Sequence, residues 1–100
     1  MTLKKLFEKV EAYNEIAEMM HSRKAKIHFF MRDSGCNICF GESFESFESL
    51  RKYIRHEYLK ELADAVLKCS DWELDKEIEI SYTDYFGSHV DTFGADLVAA

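Results

Sequence analysis

Asp71-Trp72-Glu73-Leu74-Asp75-Lys76-Glu77-Ile78-Glu79-Ile80 places a carboxylate at every second position from Asp71 to Glu79. In an extended chain alternate side chains share a face, so the pattern predicts a strand with five acids on one side. Trp72, Leu74, Ile78 and Ile80 take the other side. Same-face neighbours lie about 7 Å apart, where Coulomb's law in water gives each like-charge pair roughly 0.6 kcal/mol of repulsion before salt screening. Such a row faces solvent or a basic partner. A strand with one apolar and one polar face belongs to an antiparallel sheet that is solvated on one side.

Upstream of that strand, helical periodicity sets in twice. Leu3, Leu6, Phe7, Val10, Tyr13, Asn14, Ala17 and Met20 recur at helical spacing and predict a first helix over about 3–21, with Thr2 as N-cap. The basic run after His21 suits its C-terminal end. Phe47, Leu50, Ile54, Tyr58, Leu62, Val66 and Cys69 predict a second helix over about 47–69, capped by Ser46. Between the helices, Lys26 to Arg32 and Cys36 to Gly41 read as a hairpin across Asp33-Ser34-Gly35. A two-residue Ser34-Gly35 turn would set Phe29 opposite Phe40 and Met31 opposite Ile38, with His28, Phe30 and Cys39 on the reverse face. After the acidic strand, Asp84-Tyr85-Phe86-Gly87-Ser88 turns into a fourth strand over Val90 to Val98, in which Gly94 marks a bulge or a close backbone contact. The expected fold is α+β in the order αββαββ, with two helices on one face of a four-stranded, mainly antiparallel sheet.

Composition narrows the function classes. One hundred residues with 47% hydrophobic content make one domain, which buries roughly two-thirds of its unfolded surface. Apolar runs fall far short of the ~20 residues of a membrane span, and the charged N-terminal helix is unlike a signal peptide, so a cytoplasmic protein is expected. Residues 1–69 carry a net charge of +1 and residues 70–100 a net charge of -7. That imbalance disfavours direct contact with nucleic acid or anionic membrane through the last third and favours a basic protein partner.

Three cysteines, an odd number, point to reduced thiols or a metal. Cys36 and Cys39 have the spacing of a zinc pair. A helix running back from the hairpin returns Cys69 to the same end, with Asp71 two residues on, so Cys36, Cys39, Cys69 and Asp71 make a candidate tetrahedral set for one structural zinc. In a regular strand Cys36 and Cys39 point to opposite faces, so the zinc reading and the two-residue hairpin compete. His21, His28 and His89 are expected to gather at the other end. No glycine-rich phosphate loop, nucleophile elbow or helical histidine pair is present, and no catalysis is expected.

In composition and organisation the chain resembles small accessory proteins of phages and mobile elements, among them anti-CRISPR proteins. The residues concerned are the helical opening MTLKKLFEKVEAYNEIAE (residues 1–18) and the acidic Asp71–Glu79 row within one domain. The resemblance implies an inhibitor of a CRISPR effector nuclease such as Cas9, acting by binding in the bacterial host cytoplasm. Asp71, Glu73, Asp75, Glu77 and Glu79 would face a basic groove, with Asp84, Tyr85 and Phe86 contributing at the next turn. Two other readings compete with it. One is a nucleic-acid-binding regulator using Arg51, Lys52, Arg55 and Lys60. The other is a small interaction domain stapled by zinc.

Overall fold

Helix α1 (Leu3–Met19) begins as the sequence predicts, with Thr2 Oγ1 accepting from Lys5 N–H. The computed structural model describes residues 1–32 and 38–100, with backbone alone for 38–40. The helix stops short of its predicted end because His21 adopts φ 54°. Ser22 N–H then reaches back to Ala17 O and His21 N–H to Glu18 O, which satisfies the last free carbonyls of the helix. One turn earlier, Asn14 clamps the entry to the sheet: its side-chain oxygen accepts from Ala25 N–H and its amide donates to Ala25 O.

Four antiparallel strands follow, β1 (Ala25–Arg32), β2 (Ile38–Phe44), β3 (Glu77–Asp84) and β4 (Gly87–Ala99), in the spatial order β2-β1-β4-β3. The α+β class is as expected. The β1–β2 register differs, since Met31 pairs with Phe40, Phe29 with Glu42, and a shift between Met31 and Arg32 brings Ile38 opposite Arg32. From Ile27 to Met31 the displacement from the expected pairing is two residues, which leaves the inward face of β1 unchanged, whereas Ile38, expected opposite Met31, pairs with Arg32 one residue on. Ser34 and Gly35 lie outside the described residues.

The second predicted helix divides into α2 (Phe47–Glu57) and α3 (Lys60–Lys68). Tyr58 and Leu59 between them are extended, with ψ 153° and 152°. Tyr58 turns its ring inward between Phe29 and Phe93, with centroids 6.4 and 6.1 Å away, while Leu59 is exposed. An unbroken helix of that length would run straight for roughly 34 Å. The break lets α2 lie beside β2 and α3 over β3, at opposite edges of one sheet.

All three helices cover the same sheet face. Leu3, Phe7, Leu50, Ile54 and Val66 from the helices meet Ile27, Phe29, Phe93 and Ala95 from the strands. Trp72, fully buried, closes this layer, with Phe29 and Phe93 rings 5.9 and 6.3 Å from its own. Its indole N–H donates to Val66 O near the end of α3, and its backbone N–H to Met1 O.

On the reverse face Phe30 is also buried, though no helix covers it. Its ring lies flat over Gly94 of the neighbouring strand, flanked by His28 and by the Arg32 guanidinium, whose carbon is 5.9 Å from the ring centroid. The close contact expected at Gly94 is therefore present, in a regular ladder without a bulge at that residue. A β-carbon at Gly94 would penetrate the Phe30 ring. Gly94→Ala is expected to lower stability in urea unfolding by about 1–3 kcal/mol, the usual range for overpacking. Phe30→Leu in the same chain should recover part of that loss.

Candidate functional site

The acidic row is not one continuous strand face. β3 begins only at Glu77, because burial of Trp72 draws residues 71–75 into the connection after α3. Glu77 and Glu79 share the uncovered face of β3, and Glu77 is bound by Arg32 across the sheet. Glu73 pairs with Lys76 at 3.1 Å. Asp71 stands exposed near the end of α3, across a shallow groove of about 370 Å³ from Glu79.

Asp75 has a different task. It sits at φ 62°, a conformation that aspartate tolerates better than most residues. Its N–H donates to Ala95 O and its carboxylate accepts from Leu97 N–H, so it caps β4 where β3 has not yet begun. Asp75, expected as a member of the acidic row, is exposed and also holds the Leu97 N–H through Oδ1.

At the other end of β3, two strands alone are paired among the described residues. β1 ends opposite Thr92, so the five pairs from Ile80–Asp91 to Asp84–Gly87 project as a ribbon, roughly 17 Å long at the usual strand rise. Asp84 Oδ1 shapes its tip, accepting from Phe86 N–H at 2.8 Å and lying 2.9 Å from His89 Nε2. The bond with His89 holds the Asp84 carboxyl below its ordinary range, partly opposed by desolvation and assisted by the Phe86 N–H. Gly87 takes φ 119°, a value that L side chains rarely adopt. Tyr85 and Phe86 are left 95% and 85% exposed, edge to face at 5.4 Å. Below them, Tyr82 stacks on His89 at 5.0 Å, and burial together with Asp91 raises its hydroxyl pKa.

The residues expected around a metal are partly separated. Cys69 and Asp71 lie beside β3, whereas the backbone of Cys39 belongs to β2 at the opposite edge. β1 and β4 intervene, so three strand spacings of about 4.8 Å put roughly 14 Å between those edges. Two thiolates on one zinc, each about 2.3 Å from the ion, stand far closer together than that. Arg32 and Ile38, where β1 ends and β2 begins, lie at the same end of the sheet as the end of α3 but nearer the opposite edge. Cys36 lies outside the described residues, and among the described ones no three His, Cys, Asp or Glu side chains converge. The histidines do not gather either: His21 ends α1, His28 pairs with Asp96 and His89 with Tyr82, seven residues apart along β4.

The basic half of the predicted second helix is largely matched within the surface. Arg51 binds Glu48 at 2.7 Å and Arg55 binds Asp64 at 3.0 Å, while Lys60 begins the separate α3. Among the described residues no helix is long and apolar enough to cross a membrane. Compared with protein-family models, curated proteins and solved structures, the chain has no match.

Two measurements separate structural from available acids. Asp75→Ala loses the Leu97 N–H acceptor and places alanine at positive φ, and is expected to lower unfolding stability by about 1–3 kcal/mol. Asp75→Asn, which can still accept and tolerates that φ, should remain near the parent. For Asp84 the folded pKa is depressed, so its contribution is present above the unfolded value near 3.8 and disappears as pH falls through the lower folded one. In an NMR titration the Phe86 amide signal should hold its position down to about that pH and move only below it. Asp84→Asn should abolish the transition.

Proposed function

We propose that this chain is a non-enzymatic protein-binding inhibitor that sets its acidic strand pair against a basic, nucleic-acid-binding effector, an anti-CRISPR-like role with Cas9 as the type of target. The observation that carries the reading is the composition of β3 and β4. From residue 77 to residue 100 there is no lysine or arginine, against Glu77, Glu79, Asp84, Asp91 and Asp96. Those residues lie on β3, on β4 and on the ribbon that the two strands form together.

Asp71, Glu73 and Glu79 supply the charge that steers approach to a basic groove, and Glu77 adds to the same field while bridged to Arg32. Tyr85 and Phe86 supply the apolar contact at the ribbon tip, since exposed aromatics of this kind become anchors when a partner desolvates them. Duplex DNA carries a charge about every 1.7 Å along its axis, far denser than these acids. The mechanism is therefore obstruction of the groove, with charge directing the encounter.

The test adds the purified protein to guide-loaded Cas9 and measures binding of labelled target DNA. Parent protein is expected to suppress DNA binding with increasing dose, less strongly as salt rises. The triple variant Asp71→Lys, Glu73→Lys, Glu79→Lys should need at least about tenfold more protein, about 1.4 kcal/mol. Undiminished DNA binding at saturating parent protein would remove Cas9 as the target, and equal potency of the triple variant would remove the acidic surface as the cause.

A further inference from the structure

The end of the molecule opposite the ribbon carries a second exposed apolar surface. On α1, Tyr13, Ile16 and Met20 share a stripe beside the buried face, and Leu97 of β4 lies across from Tyr13. These four side chains are between 46% and 68% exposed. Tyr13 and Leu97, with Lys9, Val10 and Leu74, line a small groove of about 130 Å³, and Ile16 and Met20 lie further along α1. Exposed apolar side chains grouped at a groove mark an interaction site more often than scattered ones do.

The backbone beside the groove is also open. Ala100 N–H bonds Lys24 O, so along this antiparallel ladder the even-numbered residues of β4 bond to β1 and the odd-numbered ones point away. Beyond Gly94 no strand lies on that outer side among the described residues, and Asp75 satisfies only Ala95 O and Leu97 N–H. Leu97 O and Ala99 N–H are left at an uncovered edge, the kind of edge that accepts another extended segment.

We infer that this groove takes the β3–β4 ribbon tip of a second copy of the chain, so that the protein associates head to tail. Shape supplies the first argument: the ribbon is extended chain ending in Tyr85 and Phe86, and the groove offers apolar lining next to an open strand edge. Charge supplies the second. The ribbon has two acids, Asp84 and Asp91, and no lysine or arginine, whereas Lys9 lines the groove, and Arg23 lines its continuation past Tyr13 and Leu97 together with Lys24, which is bridged to Glu18 at 3.4 Å. Distance supplies the third. Ten residues of β4 separate Gly87 from Leu97, roughly 33 Å of strand, so a chain cannot seat its own ribbon in its own groove.

A contact between two different surfaces is heterologous, and such contacts extend beyond a dimer unless the rotation closes a ring. The inference stands apart from the proposed function, because it needs no foreign partner. It does place the ribbon tip in two roles that exclude each other, so self-associated chains would present fewer free tips.

Sedimentation velocity over a range of concentrations, with circular dichroism to confirm folding, tests it. The parent is expected to show a mass that rises with concentration past twice 11.7 kDa. A ribbon variant, Tyr85→Ala with Phe86→Ala, and a groove variant, Leu97→Glu, should each fall to the monomer mass. An equimolar mixture of the two retains one good groove on the first chain and one good tip on the second. It should give a dimer and nothing larger. A parent that stays monomeric at its highest attainable concentration overturns the inference. So does an assembly that survives either variant, or a mixture that stays monomeric while the parent associates.

Discussion

Burial of the Trp72 indole is the constraint on which the rest of this molecule depends. The ring occupies the centre of the layer between helices and sheet, against Phe29 and Phe93, and its N–H ends on Val66 O near the close of α3. A Trp side chain buries on the order of 200 Å², so the chain around it follows the ring. Residues 71–75 are thereby held as a connection instead of a strand, β3 starts late, and the outer edge of β4 from Ala95 onward is left for Asp75 to cap. The uncovered strand edge and the division of the acids both follow from that one placement.

Much of the architecture was legible in the residues because the signals are local. Thr2 and Ser46 cap their helices as read, since an N-cap needs only a hydroxyl within three residues of a free N–H. The strands and their inward faces followed from alternation. The β1–β2 register did not, because alternation is blind to a slip of two, as from Ile27 to Met31, and gives no sign of the shift between Met31 and Arg32. The break at Tyr58-Leu59 was equally hidden. No glycine or proline marks it, and the apolar spacing Ile54, Tyr58, Leu62, Val66 runs straight through; only the need to cover both edges of a four-stranded sheet divides the helix.

The candidate site was legible in composition and less so in geometry. Charge asymmetry singled out the last third of the chain as a candidate, and Tyr85 and Phe86, named there from the turn, stand outward at the tip between β3 and β4. The alternation of acids, however, carried two meanings at once. Glu77 and Glu79 obey the strand rule; Asp75 obeys a backbone requirement at positive φ, and periodicity cannot tell a carboxylate that faces solvent from one that replaces a missing strand. The groove beside Leu97 had no signal at all, since it is formed by residues far apart in the chain and by an edge that exists only once Trp72 is in place.

The ribbon has a consequence for how this protein can change. From Gly94 to Thr92, β4 is flanked by strands on both sides; from Asp91 to Gly87 it has β3 alone among the described residues. Local opening free energy should therefore fall steadily toward the tip, in a gradient separate from the global transition. Residues 85 and 86 sit at the bottom of that gradient and touch nothing in the core. Replacing them leaves the folded fraction, and so the level of protein in the cell, almost untouched. What the tip recognises can drift rapidly under selection while the scaffold that presents it stays fixed.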